Sequence, residues 1–406
     1  MVDVFAPRDE TDVSDLVAQA AASGTPIEVG GYHSKRHIGR PVNTAACIST
    51  SELTGITLYE PGELVISARP GTSLAHIEAV LAANGQELAF EPIDLGNLVN
   101  RTPLGGSIGA VFATNASGPR RILRGAARDH LLGIRAVNGR GEIIKSGGRV
   151  MKNVTGLDLV RGLTGSWGTL AVFTELTMKV LPKAEESRTL MLLNLPDEAA
   201  VGLMCAAMGT PYEVSGTIHL QQPMARRLPD RDLAELGFAI TAVRLETFSS
   251  MMPYRAERLR RDLAAFGEIY ELDHPRSFAF WSALRDMSYL VASDKPLWRI
   301  TVAPTQAPKL VSAIRGIIDC AAVYDWSGGL IWLEVPPSMD ANAADIRRLI
   351  SPFGADALLV RAEPQVRSAV EVFQPLPEAN MALIRGLKRA FDPNGILNPG
   401  RMYPGI

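Results

Sequence analysis

The chain opens on a helical period. Val13, Leu16, Val17 and Ala20 follow the i, i+3, i+4, i+7 rule, and Gly24 stands where such a helix stops. A short run, Pro26–Val29, predicts a strand that breaks directly into Gly30-Gly31-Tyr32-His33-Ser34-Lys35. Strands Ile56–Tyr59 and Leu64–Ala68 flank the turn signal Pro61-Gly62. A helix from about Ser73 to Asn84 places Leu74, Ile77, Val80 and Leu81 on one face. Between Gly96 and Gly168 glycine becomes frequent, with Gly105-Gly106, Gly109, Gly118, Gly125, Gly147-Gly148, Gly156 and Gly165. Strands Leu131–Val137 and Glu142–Lys145 are joined there by Asn138-Gly139. The alternating run Thr169–Val180 closes the region at Leu181-Pro182.

After Pro182 glycine thins and strands alternate with helices. Strands are predicted at Leu190–Leu193, Ser215–Leu220, Ile240–Leu245, Arg299–Val302, Leu330–Val335 and Leu358–Arg361. Helices are predicted at Glu198–Met208, Pro253–Phe266, Ala307–Ile318 and Ala341–Ile350, which gives an α+β domain on an antiparallel sheet. A last helix from about Pro377 carries Met381, Ile384, Leu387, Lys388 and Phe391 and ends in Asp392-Pro393-Asn394-Gly395. The expected boundaries are 1–182, 183–374 and 375–406, and a length of 406 residues suits two or three domains.

Composition narrows the function classes. Apolar residues make up 47%, enough for a full core. Lys plus Arg is 41 against 43 Asp plus Glu, a net charge of −2, which excludes nucleic-acid binding through global charge. Cys47, Cys205 and Cys320 are too few and too far apart for a disulfide framework, a zinc site or an iron–sulfur cluster, and they suit a reducing compartment. The opening MVDVFAPRDETD has no basic segment followed by an apolar core, so no signal peptide is expected. The longest uncharged stretch, Thr102 to Pro119, is filled with Gly, Ser, Thr, Asn and Pro. It predicts a buried loop system, not a membrane span, so membrane contact is expected only through a partner.

Glycine lets backbone approach a ligand closely, and successive N–H groups in such loops form anion sites. From Leu95 to Arg128 there is no Asp or Glu, yet Arg101, Arg120, Arg121, Arg124 and Arg128 are present. Uncompensated charge of that kind is relieved by solvent or by an anion. With two glycine loops beside it, the pattern points to an extended phosphate ligand. Neither the GxGxxG fingerprint nor the P-loop is present, which leaves a dinucleotide held by a different architecture.

The quoted loops resemble those of the vanillyl-alcohol oxidase / p-cresol methylhydroxylase (PCMH-type) FAD family. Gly30-Gly31-Tyr32-His33-Ser34 resembles its first phosphate loop. Pro103-Leu104-Gly105-Gly106-Ser107-Ile108-Gly109, with Ala113-Thr114-Asn115-Ala116-Ser117-Gly118, resembles the second. Gly147 to Leu159 resembles a third signature, Gly165-Ser166-Trp167-Gly168-Thr169-Leu170-Ala171-Val172 a fourth, and the tail Phe391 to Gly400 a fifth. The resemblance covers about residues 1–182 and 375–406. Within the family, Gly30 to Asn43 and Pro296 to Pro304 are most similar to the smaller, FAD-binding subunits of bacterial glycolate oxidases.

The resemblance implies a PCMH-type domain of two α/β subdomains that binds FAD, an α+β cap on an antiparallel sheet, and a C-terminal segment that returns to the FAD domain. It puts the pyrophosphate on the Gly30, Gly31, Tyr32, His33 and Ser34 loop and on Pro103, Gly105, Gly106, Ser107 and Ile108. Asn115, Gly118, Gly168, Leu170 and Val172 would follow the flavin and ribityl chain. His33 lies near a position that some members join covalently to the flavin, although a noncovalent loop histidine is the expectation here. The implied reaction is oxidation of a small 2-hydroxy acid such as glycolate to glyoxylate by hydride transfer to flavin. A stand-alone D-lactate-type dehydrogenase and a flavin relay without turnover are the alternatives. The implied partners are a larger FAD subunit and an iron–sulfur subunit, in the cytoplasm or peripheral to the inner membrane.

The larger catalytic flavoproteins of this group carry paired histidines that bind a metal. Here the histidines are His33, His37, His76, His130, His219 and His274. None pair at a ligand spacing in the middle or C-terminal regions, and His33 and His37, at i, i+4, sit in a glycine-flanked loop. No metal is expected. Arg299 is the candidate for a substrate carboxylate, since a guanidinium binds carboxylate in a bidentate fork, and Arg361 is a second choice. His219 is the candidate base, with His274 beside it, although both suit structural roles as well. Tyr324, Trp326 and Trp332 are expected as core aromatics of the cap.

Overall fold

Helix Glu10–Ser23 forms where the apolar period places it, and its ends are closed by the expected chemistry. Asp9 accepts the Asp12 N–H at the N-cap, and Gly24, at φ 64, donates to Ala20 and Ala21. The buried face is Val13, Val17 and Ala20. The structure, a computed structural model, describes residues 3–93, 95–100, 105–150 and 156–406. They divide into two compact units, one of Met1–Ser117, Ala126–Lys183 and Pro375–Ile406, the other of Gly118–Gly125 and Ala184–Gln374.

The first unit contains a parallel sheet and an antiparallel one. Strands β1 (Asp3–Phe5), β2 (Ile27–Gly30) and β3 (Ala46–Ser49) pair in the order β1-β3-β2. Strands β4 (Ile56–Glu60), β5 (Val65–Ala68), β7 (Leu131–Asn138), β8 (Ile143–Gly147) and β9 (Ala171–Lys179) pair in the order β4-β5-β9-β7-β8. The short β6 (Gln86–Glu87) pairs with β10 (Leu181–Pro182). Val13, Val17, Ile27, Ile48, Val137 and Val172 meet Ile396 and Leu397 of the tail in one core. Each fully buried Val, Leu or Ile there contributes ~1.5–3 kcal/mol of transfer free energy.

The tail is structural to this core. Leu397 bridges Ile27 in parallel, so the tail lies alongside β2 as a further rung of its sheet. At the β7–β8 turn, a Cβ on Gly139 would stand 2.4 Å from Asp392 Oδ1. The glycine is needed for the approach of the tail as much as for the turn.

The second unit is built on one antiparallel sheet, ordered β14-β11-β13-β12-β16-β17-β15-β18. The strands are β11 (Glu186–Leu193), β12 (Val214–Leu220), β13 (Ile240–Thr247), β14 (Tyr270–Leu272), β15 (Leu297–Thr301), β16 (Ala321–Asp325), β17 (Leu330–Glu334) and β18 (Asp356–Arg361). Leu203 and Ala207 of helix Asp197–Met208 and Leu259 and Leu263 of helix Met252–Leu263 pack on Leu190, Leu192, Val243 and Leu245. The α+β class is as expected. Gly118–Gly125, which the composition shift assigns to 1–182, packs with this second unit. The central strand β16 and the helix His274–Arg285 are not among the elements that the hydrophobic pattern predicts.

Candidate functional site

Strand β2 runs out at Gly30, and the chain turns through His33 at φ 55 before Arg36 N–H closes onto the His33 carbonyl. Tyr32 locks the loop from the far side, its hydroxyl donating to the Gly71 carbonyl at 2.7 Å. A Cβ on Gly31 would stand 2.8 Å from Ser107 Oγ, so the first loop can lie against the second only where the side chain is absent. Ser107 caps helix Ile108–Thr114 and is 1% exposed, so it has little room to yield.

The loop opens onto a cleft of about 740 Å³, part of it solvent. Gly30, Gly31, Tyr32, His33, Ser34, Lys35 and Arg36 line one side. Ala110, Trp167, Gly168, Ala171 and Phe173 line another, and Asn398 and Arg401 complete it. Asn398 fixes the two walls to each other. It accepts the Val29 N–H at 2.8 Å and donates to the carbonyls of Val29 at 3.3 Å and Trp167 at 2.8 Å. Below it, the buried Lys388 ammonium donates to the carbonyls of Thr169 and Leu397 and pairs with Asp392 at 2.8 Å. Asp392 in turn accepts the N–H groups of Ile396 and Leu397.

The cleft is net positive, with Lys35, Arg36 and Arg401 against the buried Glu28. Glu28 pairs with Arg36 at 2.7 Å, and His33 Nδ1 lies 4.0 Å from it. Burial, reinforced by Arg36 and Arg401, lowers the His33 pKa despite Glu28, so the ring is neutral at pH 7. Its Nε2 stands 3.7 Å from Cys47 Sγ. Burial and Glu28 push the Cys47 thiol up to about 11, which keeps it protonated.

Several predicted residues fall elsewhere. Strand alternation turns Ala171 and Phe173 to the cleft and sends Val172 into the core, where Ile108 is also buried. Leu170 is buried at 7%. Asn115 ends helix Ile108–Thr114 at φ 51, and its Oδ1 accepts the Arg128 N–H. Gly105 is left-handed at φ 61, and the Gly106 carbonyl accepts the Leu74 N–H. Gly118 belongs to the other unit. Pro103 and the Met151–Thr155 part of the third signature lie outside the described residues. Of the arginines of the acid-free stretch, Arg101 lies outside the described residues, and Arg120, Arg121, Arg124 and Arg128 do not line the cleft. The cations of the cleft come from the Ser34-Lys35-Arg36 run and from the tail, through Arg401.

In the second unit the acid-free stretch finds its partners. Arg120 makes a two-pronged contact with Glu246, at 2.8 and 2.6 Å, and Arg244 lies 3.3 Å from the same carboxylate. Burial would raise the Glu246 carboxyl, but Arg244 and Arg120 outweigh it and hold it at about 2. The stability that Glu246 contributes is therefore complete above its unfolded value of 4.5 and fades as pH falls toward about 2. Urea unfolding is expected to lose stability more steeply between those pH values in the wild type than in Glu246→Gln. Equal slopes would contradict this.

Arg299 and His219 do not come together. Arg299 pairs with Trp332, Trp332 with Val323 and Val323 with Leu220, which places all four on one face of the sheet and the adjoining His219 on the other. His219 is fully buried, with Nδ1 2.8 Å from Thr241 and Nε2 3.3 Å from Asp197. His274 Nδ1 accepts the Ser187 N–H, and Arg361 donates to the carbonyls of Lys295 and Leu290, so each has a structural engagement. Tyr324 and Trp332 are core residues, as expected.

Arg299 is different. It is half-buried at the centre of β15, its guanidinium carbon lies 5.2 Å from the Trp326 ring centre, and it makes no hydrogen bond or ion pair among the described residues. Burial first and Arg121 second pull its pKa down to about 10, with Asp325 opposing, so it is charged at pH 7.

Residues 3–147 match the FAD binding domain model, and residues 370–402 match the C-terminal domain of FAD linked oxidases. Glycolate oxidase subunit GlcE of Escherichia coli (strain K12) is 32% identical over 390 residues, 96% of each chain. Glycolate oxidase subunit GlcD of Bacillus subtilis (strain 168) is 25% identical over 427 residues, covering 98% of this chain and 88% of that one. Among solved structures, p-cresol methylhydroxylase with substrate bound superposes with a TM-score of 0.70 at 14% identity, over 99% of this chain and 88% of that one. That last likeness concerns the fold alone.

Proposed function

Because the chain belongs to the FAD-linked oxidase family with a PCMH-type FAD-binding domain, we propose that it is the FAD-binding subunit of a complex that oxidises glycolate to glyoxylate. The observation that carries the reading is the cleft. Its glycine loop, its three cations and the Asn398 tie between its walls suit a pyrophosphate dinucleotide. Ser166, next in sequence to Trp167 and Gly168 of the wall, has a buried Oγ with no hydrogen-bond partner among the described residues. The backbones of Gly30 to Ser34 would hold the phosphates, with Lys35, Arg36 and Arg401 opposite their charge. When bound, FAD supplies the two-electron acceptor for the α-hydrogen of the hydroxy acid. His33 stays noncovalent in this reading, since its ring nitrogens face Glu28 and Cys47.

Arg299 receives the substrate carboxylate. A half-buried guanidinium with no acidic partner within ion-pair distance among the described residues gains most from an anion that brings its own charge. The electrons then leave to a larger FAD subunit and an iron–sulfur subunit, because this chain's three cysteines stand apart, two of them buried. The complex is cytoplasmic and meets the inner membrane through those partners; no described helix is long and apolar enough to cross a membrane.

Anaerobic addition of glycolate to the flavin-loaded chain tests the reading. Bleaching of the flavin absorbance by glycolate is expected, with Arg299→Met raising the glycolate KM at least ~10-fold. Bleaching by D-lactate but not glycolate would favour the stand-alone dehydrogenase. Bleaching by neither would leave an electron relay.

A further inference from the structure

Arg120, Arg244 and Arg361 are buried in the second unit, and each is held by oxygen. Arg120 bonds both oxygens of Glu246, Arg244 bonds Ser215 Oγ at 3.0 Å, and Arg361 bonds the carbonyls of Lys295 and Leu290. Arg299 has no such acceptor among the described residues. Its guanidinium meets the Trp326 ring, with 5.2 Å from guanidinium carbon to ring centre. An indole face attracts a cation at this range. A contact of that kind uses none of the five N–H donors, whereas a bond to oxygen uses one or two.

The ring is fixed in its turn. Trp326 is 6% exposed, and its indole N–H donates to the Gly118 carbonyl at 3.0 Å. The guanidinium carbon of Arg121 lies 4.6 Å from the ring centre, so the Gly118–Gly125 segment meets the ring at two points. The charge of Arg121 repels Arg299, and the attraction of the ring opposes that displacement. Trp326 and Ser327 lie between β16 and β17 with left-handed backbone angles, φ 52 and φ 61. Glycine or asparagine would supply such angles at little cost. A tryptophan there is strained, and bonds from Trp326 N–H to Asp325 at 2.7 Å and from Ser327 N–H to Thr217 Oγ1 at 3.1 Å hold it. Strain of this kind collects where a side chain must be kept ready beside a ligand.

We infer that Trp326 is a positioning residue, whose ring sets the Arg299 guanidinium so that its N–H donors stay available to the carboxylate of a small hydroxy acid. This role rests on the reading of Arg299 as the carboxylate site. Trp326 acts through Arg299 alone, so its loss matters only while the guanidinium is present. Trp326→Phe keeps a face for the cation, though a weaker one, and loses the bond to Gly118. Trp326→Leu keeps apolar bulk and loses the face.

Oxalate, an unreactive two-carbon dicarboxylate, is the probe, and calorimetric titration of the flavin-loaded chain is the readout. The wild type is expected to bind oxalate. Arg299→Met is expected to weaken binding roughly 10- to 100-fold and Trp326→Leu roughly 3- to 30-fold, with Trp326→Phe between Trp326→Leu and the wild type. Trp326→Leu added to Arg299→Met is expected to change the affinity by less than about 2-fold. Losses that multiply in the double variant overturn the role, because a tryptophan with a purely structural task would add its effect to that of Arg299. Wild-type affinity in Trp326→Leu overturns it as well. Melting temperature and flavin-to-protein ratio show whether the variants fold. If Trp326→Leu does not fold, the wild type labelled with fluorotryptophan carries the test. The fluorine resonance missing from Trp326→Phe is expected to shift with oxalate in the wild type and to stay in place in Arg299→Met. A resonance that oxalate leaves unmoved in the wild type overturns the role. The readings fail separately. Wild-type oxalate affinity in Arg299→Met removes the carboxylate site and the positioning role with it, whereas a loss in Arg299→Met with none in Trp326→Leu removes the positioning role alone. If glycolate leaves the flavin unbleached while the two substitutions remain coupled, the glycolate reading falls and the role of Trp326 stands.

Discussion

Replacing Asp392 by alanine lowers the unfolding free energy by about 3–5 kcal/mol and strips the flavin from the protein. Asp392 is 1% exposed and Lys388 is 5% exposed. Removing the carboxylate leaves an ammonium in the core with carbonyl partners but no counter-charge, and burial already pulls the Lys388 pKa down. It also frees the N–H groups of Ile396 and Leu397, which Asp392 accepts. The same few residues lead to Asn398, which joins Val29 to Trp167 across the cleft. Loss of stability and loss of cofactor are therefore expected together. Urea unfolding and the flavin-to-protein ratio check both. A variant within about 1 kcal/mol of wild type with its flavin retained would contradict this role for the tail.

Replacing Gly31 by valine is expected to weaken FAD binding at least ~100-fold while leaving the second unit intact. The first side-chain carbon already reaches Ser107 Oγ at 2.8 Å and Thr50 Oγ1 at 3.4 Å. The two valine methyls add volume that the buried Ser107 cannot yield, and overpacking of this kind costs about 1–3 kcal/mol. In the proposed site the displaced loop would also lose charge-assisted bonds from its N–H groups to phosphate, each worth about 1.5–3 kcal/mol. Together these imply at least ~100-fold weaker binding. Flavin fluorescence titration reads it, with circular dichroism to show that the fold persists. Wild-type affinity in Gly31→Val would remove the first loop from the site.

The sequence carried the fold where local chemistry is self-sufficient. Helix Glu10–Ser23 announces itself by period and caps, and the glycine loops announce a close backbone approach. Strand β16 did not announce itself, because Ala321-Ala322-Val323-Tyr324-Asp325 has no turn signal before it and is buried on both faces. The site was legible in its backbone and not in its charges. An acid-free run of arginines suggested phosphate contacts, but Arg120 finds Glu246 across 126 positions of sequence, a pairing that no window can see. Val172 turns its side chain to the core while Ala171 and Phe173 turn to the cleft, a parity that no composition or motif reading supplies. That His219 and Arg299 lie on opposite faces of the sheet was likewise out of reach, because it depends on the register of four strands.

FAD held in the cleft of the first unit is the central proposal. The most direct measurement strips the flavin from the purified chain and titrates FAD back by fluorescence quenching. One FAD per chain with micromolar or tighter affinity is the expected result. A folded chain that takes up no FAD at such concentrations would contradict the account.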